Sequence, residues 1–135
     1  MGDQVLSGSI ISNLLMTEFP TFDIRVEVDA HPDGSDQVVE RTVVAVSGEL
    51  DVATSPALER EVLALLQEGV GEVVVDASGL DFIDASGIGV LVGAANLARE
   101  AGGQLVLRGT SEATRRLLDL LELNATLPAE ESPPA

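Results

Sequence analysis

One short stretch of this chain assembles residue types capable of specific chemistry: Asp81-Phe82-Ile83-Asp84-Ala85-Ser86-Gly87-Ile88-Gly89. It sets a hydroxyl, Ser86, two residues after a carboxylate and directly before a glycine, at the mouth of a helix-patterned segment. A helix start offers unpaired N–H groups and a partial positive charge, so a phosphate on Ser86 would be well tolerated there. Ser86 therefore reads in two ways, as an acceptor for a kinase or as a helix-capping serine.

Other chemistries lack their parts. A serine hydrolase needs a base beside its nucleophile, and the one histidine, His31, lies far away in the turn-like run His31-Pro32-Asp33-Gly34. Asp84-Ala85-Ser86-Gly87 also lacks the glycine two residues before the serine that a nucleophile elbow requires. The run Gly87-Ile88-Gly89-Val90-Leu91-Val92-Gly93 imitates a dinucleotide fingerprint, but its third glycine comes one position late. It also starts about a dozen residues beyond the preceding strand pattern, so close helix packing is the better account of its glycines. A phosphate-accepting aspartate of the receiver type wants a lysine, and the chain has none. Asp76, Asp81 and Asp84 read as solvated loop carboxylates, with a weak Mg²⁺ site as the alternative. No cofactor and no structural or catalytic metal are expected.

Composition narrows the class further. The absence of Cys removes disulfides, thiolate metal sites and cysteine nucleophiles together. With 45% apolar but only 2% aromatic residues in 135, a single core must be built from Val, Leu, Ile and Ala. All seven basic residues are Arg, set against 23 acidic ones, for a formal charge of −16. Such a surface repels nucleic acid and anionic membranes and favours a basic protein partner or plain solubility. No apolar run reaches membrane-spanning length and the N-terminus lacks a signal peptide's positive start, so a cytoplasmic protein is expected.

The elements that must position Ser86 follow from periodicity. Residues 1–21 read as a partly disordered tail in which Ile10, Ile11, Leu14, Leu15 and Met16 could form one or two helical turns. Phe22, Ile24, Val26 and Val28 alternate with charged residues, the pattern of a half-exposed edge strand. A Pro-Asp-Gly turn follows, and Val38 to Ser47 should return antiparallel, with Val43 to Val46 buried on both faces. Ser55-Pro56 supplies an N-cap and a first-position proline for a helix striped by Leu58, Val62, Leu65 and Leu66 and stopped at Gly69. Val73 to Val75 is a second buried strand closed by Asp76, and Leu105 to Leu107 a third. Ile88, Leu91, Val92 and Ala95 stripe a helix from about Ser86 to Gly102. Ser111 caps a last helix striped by Ala113, Leu117, Leu120 and Leu121. The three prolines and Glu130-Glu131 near the end mark 125–135 as a disordered tail. The layout is α/β: a small mixed sheet opened by an antiparallel hairpin, with helices mainly on one face. Loops at the strands' carboxyl ends, Gly48 to Thr54 and Gly79 to Ser86, would bring Asp51, Asp84 and Ser86 to one edge.

Gly48-Glu49-Leu50-Asp51, followed about thirty residues later by Phe82-Ile83-Asp84-Ala85-Ser86-Gly87-Ile88-Gly89, resembles the bacterial anti-sigma-factor antagonist family. That family has the STAS fold, shared with cytoplasmic domains of sulfate transporters, and the resemblance covers residues 22–124. It implies a non-enzymatic protein that binds an anti-sigma factor, itself a serine kinase with a histidine-kinase-like ATP site, and so frees a sigma factor. Phosphorylation of Ser86 would end binding, and a PP2C-type phosphatase would restore it. The resemblance assigns partner contacts to Gly48, Glu49, Leu50, Asp51, Thr54, Ile83, Asp84, Ala85, Ser86, Gly87 and Ile88. Many family members carry two hydroxyl residues before the glycine; here the first is Ala85, which leaves Ser86 as the sole acceptor in the motif. The competing expectations are a STAS scaffold or transport-complex subunit without phosphorylation, and an enzyme using the glycine-rich segment for a nucleotide.

Overall fold

The structure, a computed structural model, describes residues 22–32 and 38–130. The expectations for residues 1–21, for 33–37 of the turn expected over Ala30 to Gln37, and for residues 131–135 lie outside the described residues; Ala30, His31 and Pro32, expected in that turn, are instead strand, paired with Glu40, Val39 and Val38.

Strand β1 (Phe22–Pro32) and strand β2 (Val38–Leu50) pair antiparallel, from Phe22 opposite Gly48 onward. Helix α1 (Ser55–Gln67) leads to β3 (Glu72–Ile83), α2 (Ala85–Glu100), β4 (Gln104–Arg108), α3 (Glu112–Leu120) and β5 (Ala129–Glu130). The sheet order is β1-β2-β3-β4-β5, and every pairing after the first is parallel. Each parallel step needs a crossover, and the three helices supply them. The mixed α/β sheet expected from the sequence is therefore the one observed.

Alternation along the strands decides what each face carries. Val44, Val46, Val73, Val75, Leu105 and Leu107 point to the helices and are buried with Leu58 and Val62 of α1, Ile88 and Leu91 of α2, and Leu118 of α3. Branched aliphatic side chains suit a pleated surface, so a core with almost no aromatic residues still closes. Val43, Val74 and Val106 point the other way and form a cluster of their own.

Four local expectations are corrected. Strands β2 and β3 do not stop at Ser47 and Asp76 but run on to Leu50 and Ile83, pairing through Gly48 with Leu80, Glu49 with Phe82 and Leu50 with Ile83. Irregular register between Ala45 and Ser47 lets the pair pass a polar stretch. Gly79 is required there, because a Cβ on it would stand 2.8 Å from the Cβ of Ser47. Ser55 is the first residue of α1 rather than its cap: it is buried, and its Oγ donates to the Asp51 carbonyl at 2.6 Å. In α3 the residue turned into the core is Leu118, while Leu120 and Leu121 are exposed, since the helix ends at Leu120 and its inward stripe is Thr114, Leu117 and Leu118. Residues 125–130 do not belong to a disordered tail. Leu127 is fully buried in the core, and Ala129 and Glu130 pair with Leu107 and Arg108 as the edge strand β5.

The face away from the helices carries ion pairs. Arg41 Nη1 meets Glu130 Oε2 at 2.7 Å and Glu72 Oε2 at 3.4 Å, and Arg108 Nη2 meets Asp76 Oδ2 at 3.2 Å. Hydrogen bonding to Glu130 holds the Arg41 guanidinium protonated more firmly than usual, against the cost of its burial. Partial burial disfavours the charged Asp76, but bonds from Ser78 N and Oγ, joined by Arg108, outweigh it and keep this carboxyl below the ordinary range.

Candidate functional site

Two parallel strand ends and one helix start build the site. Where β2 and β3 finish side by side at Leu50 and Ile83, the chain turns once into the loop 51–54 and once into α2. The Asp84 amide donates to the Leu50 carbonyl at 3.2 Å and fastens the two exits together. Gly87 seals the joint from below, because a Cβ on it would lie 2.8 Å from Ile83 Cγ1 and 2.9 Å from Leu50 Cγ.

The first exit is closed by its own side chains. Asp51 Oδ1 accepts from the amides of Ala53 (3.0 Å) and Thr54 (3.1 Å), an Asx-type turn. Thr54 Oγ1 donates to the Glu49 carbonyl at 2.7 Å and accepts from the Asp51 amide at 2.9 Å. Asp51 and Thr54 therefore shape the loop in addition to whatever they offer a partner.

The second exit decides how Ser86 reads. Asp84 is extended (φ −114°, ψ −172°) and is the N-cap of α2, its Oδ1 accepting from the Gly87 amide at 3.1 Å. The capping role open to Ser86 on sequence grounds is thus filled by Asp84. Ser86 is the second residue of the helix, half-buried, and its Oγ makes no hydrogen bond to any described residue. No acidic residue occupies the first turn of α2, so the positive end of the helix is uncompensated apart from the cap. What results is an unengaged hydroxyl over a helix N-terminus, within an otherwise acidic edge formed by Glu49, Asp51, Asp81 and Asp84. Among the described residues no three histidine or carboxylate groups come together as a cation site.

The expected contact residues divide by depth. Leu50 is fully buried, and Gly87 and Ile88 are buried too, so these three support the site from beneath and cannot present side chains to a partner. Ile83 is half-buried and packs on the core, whereas Ala85 is exposed. Gly48 takes φ +96° in the irregular part of β2 and lets Glu49 pair opposite Phe82. Two residues that sequence reasoning passed over lie at this edge: Val52 is 73% exposed and Phe82 51% exposed. Their signal was available, since Val52 is a large apolar residue in the short loop Asp51 to Thr54 and Phe82 is one of only three phenylalanines. Exposed large apolar side chains beside a polar centre are the usual composition of a contact surface.

Known proteins resemble this chain in sequence and in fold. Residues 34–128 match the family model described as "Mlab, STAS domain". The chain is 34% identical over 88 residues to an anti-sigma-B factor antagonist of Staphylococcus epidermidis, covering 65% of this chain and 82% of that protein. It is 30% identical over the same shares to the antagonist of the same name from Staphylococcus aureus strain NCTC 8325 / PS 47. Among solved structures, an anti-sigma factor antagonist from Mycobacterium paratuberculosis superposes with a TM-score of 0.64 at 29% identity, over 81% of this chain and 85% of that one. The Bacillus cell fate determinant SpoIIAA in its phosphorylated form gives 0.58 at 18% identity, over 79% and 92%, a likeness of fold alone. With its sheet order and these relatives in agreement, the chain belongs to the anti-sigma-factor antagonist family of STAS-domain proteins.

Proposed function

We propose that this protein binds an anti-sigma factor through the edge that carries Ser86 and thereby releases a sigma factor, and that phosphorylation of Ser86 by that anti-sigma factor, acting as a serine kinase, ends the binding. The name shared by its curated relatives, anti-sigma-B factor antagonist, supports the first half. The observation that carries the second is the free Ser86 hydroxyl at the second position of α2, with capping left to Asp84.

The electrostatics favour a switch of this kind. A phosphate adds about −1.5 to −2 charges at pH 7. At a helix start the fold tolerates that charge, since the helix's partial positive end faces it. A partner surface matched to a neutral hydroxyl at this edge would not tolerate it, because Glu49, Asp51 and Asp84 already make the edge acidic. Spoiling one buried polar contact at an interface costs about 2–5 kcal/mol, and each 1.4 kcal/mol is roughly tenfold in affinity. The fold would survive modification while the complex would not. A phosphatase of PP2C type would complete the cycle by returning Ser86 to its free form.

The test pairs the protein with a histidine-kinase-like anti-sigma factor encoded in the same genome, with and without ATP. Fragment mass analysis should find one phosphate, on Ser86, and gel filtration should show the complex dissolving as it appears. Ser86→Ala should keep the complex and prevent its release, and Ser86→Asp should weaken it. Stoichiometric phosphate on Thr54 or Ser78 instead, or a Ser86→Asp variant that binds like the parent, would overturn the reading. A complex indifferent to ATP would leave an unmodified STAS scaffold.

A further inference from the structure

The sheet has two faces, and the described helices cover only one. α1, α2 and α3 all contribute to the core over Val44, Val46, Val73, Val75, Leu105 and Leu107. On the opposite face Val43, Val74 and Val106 stand in register across β2, β3 and β4. They are nonetheless buried, with 3%, 0% and 7% of their surface exposed. Polar atoms nearby are shut off as well. Strand alternation puts Arg41 and Glu72 on this face, two residues before Val43 and Val74, and Arg108 on it two after Val106, with Glu130 paired beside Arg108. Arg41 Nε and Glu130 Oε1 are out of contact with solvent, without a hydrogen-bond partner among the described residues. A row of three valines and two buried polar atoms on a face without a described helix calls for a covering element.

We propose that the N-terminal segment of the same chain is that element, with Ile10, Ile11, Leu14, Leu15 and Met16 lying on Val43, Val74 and Val106. Composition favours it. In a chain with 23 acidic and 7 basic residues, positions 1–21 contain just two charges, Asp3 and Glu18, and no Arg. Positions 10, 11, 14 and 15 share one side of a helix, so the segment can turn one apolar stripe inward. Reach also fits. The segment joins the sheet at Phe22, opposite Gly48, and Val43 lies five residues back along β2, about 17 Å at strand rise. Thr17 to Thr21, if extended, span roughly 17 Å as well, which sets Met16 level with the valine row. The covering segment would enter from the end of the sheet that carries Ser86.

The chain lacks cysteine, so a single introduced thiol reports on this face alone. In the full chain, a Val106→Cys thiol should react with a small maleimide at least tenfold more slowly than a Val28→Cys thiol, which replaces a residue 67% exposed on β1. Adding Ile11→Asp and Leu14→Asp to the Val106→Cys chain should remove most of that protection. Equal rates at the two sites, or protection that ignores the two aspartates, would overturn the proposal. In case the variants fold poorly, methyl NOE spectra of the unaltered full chain give a second reading. Cross-peaks from Leu14, Leu15 or Met16 to Val74 and Val106 are expected, and their absence overturns the assignment. Cross-peaks seen solely between differently labelled copies, together with a dimer in sedimentation, would assign the face to a second copy and equally overturn it.

Discussion

Asp84 does two things at once. Its carboxylate caps α2 and its amide ties that helix to the end of β2, while its position leaves the Ser86 hydroxyl unengaged. The two contributions separate by substitution. Asp84→Ala removes the cap and should cost about 0.5–2 kcal/mol in urea unfolding, whereas Asp84→Asn keeps an acceptor and should cost much less. If partner binding falls for both variants alike, the charge of Asp84 serves recognition; if it follows stability, the cap is its whole role. Asp76 offers a second test at this scale. Its carboxyl is held below the ordinary range in the folded protein, so the unfolded chain takes up the proton first as pH falls. The stabilisation is therefore complete above the ordinary carboxylate range and is lost on acidification toward the lowered value. Urea melts of the parent and Asp76→Asn should differ by a constant amount above about pH 5 and converge below about pH 4. A gap that widens in acid would contradict the Ser78 and Arg108 contacts as its source.

At the scale of elements, the C-terminal strand is the least expected part of the fold. Leu127 is fully buried, its amide bonded to the Leu123 carbonyl at 2.8 Å, and the Pro128 carbonyl accepts from the Leu107 amide at 2.8 Å. Leu127→Ala should destabilise the protein by about 2–5 kcal/mol, the cost of a large-to-small change in a packed core, and lower the thermal midpoint accordingly. An effect under about 0.5 kcal/mol would mean that residues 125–130 are dispensable. The sequence hid this strand because its two paired residues have no apolar run and stand among prolines; a register of two residues has no period to read. The extension of β3 was hidden for a related reason. Asp76 to Asp81 alternates poorly and contains Gly79, so a pattern-based boundary falls at Asp76, whereas the parallel partner β2 carries the strand on to Ile83. Legible in advance were the long periodic elements: the opening hairpin, the valine runs of β2 and β3, and the Leu58–Val62 stripe of α1. For the site, spacing brought Asp51, Asp84 and Ser86 to one edge, but could not say which residue caps the helix. That choice depends on whether Asp84 or Ser86 takes the extended backbone, which the Leu50 carbonyl fixes by binding the Asp84 amide.

At the scale of the whole molecule, charge and burial pull in opposite directions. A formal charge of −16 on 135 residues makes the compact state repel itself, while the ion pairs of Arg41 and Arg108 draw parts of the sheet together. Salt weakens both effects, so the sign of its net influence depends on which is better exposed. The Debye length is about 10 Å at 0.1 M salt and 3 Å at 1 M, and it screens solvated charges far more than partly buried ones. The side chains of Arg41 and Arg108 are only 15% and 17% exposed, whereas acidic side chains such as Asp23, Glu27, Asp81 and Glu100 are exposed to solvent. Screening should therefore relieve the repulsion more than it weakens the pairs. The thermal midpoint is expected to rise steadily from 10 mM to 0.5 M sodium chloride, and binding to a basic partner surface to weaken over the same range. A midpoint that falls with salt would show the Arg41 and Arg108 pairs outweighing the repulsion. Repeating the titration with Arg41→Met would then locate the effect, since the salt dependence should reverse once the Glu130 and Glu72 contacts are gone.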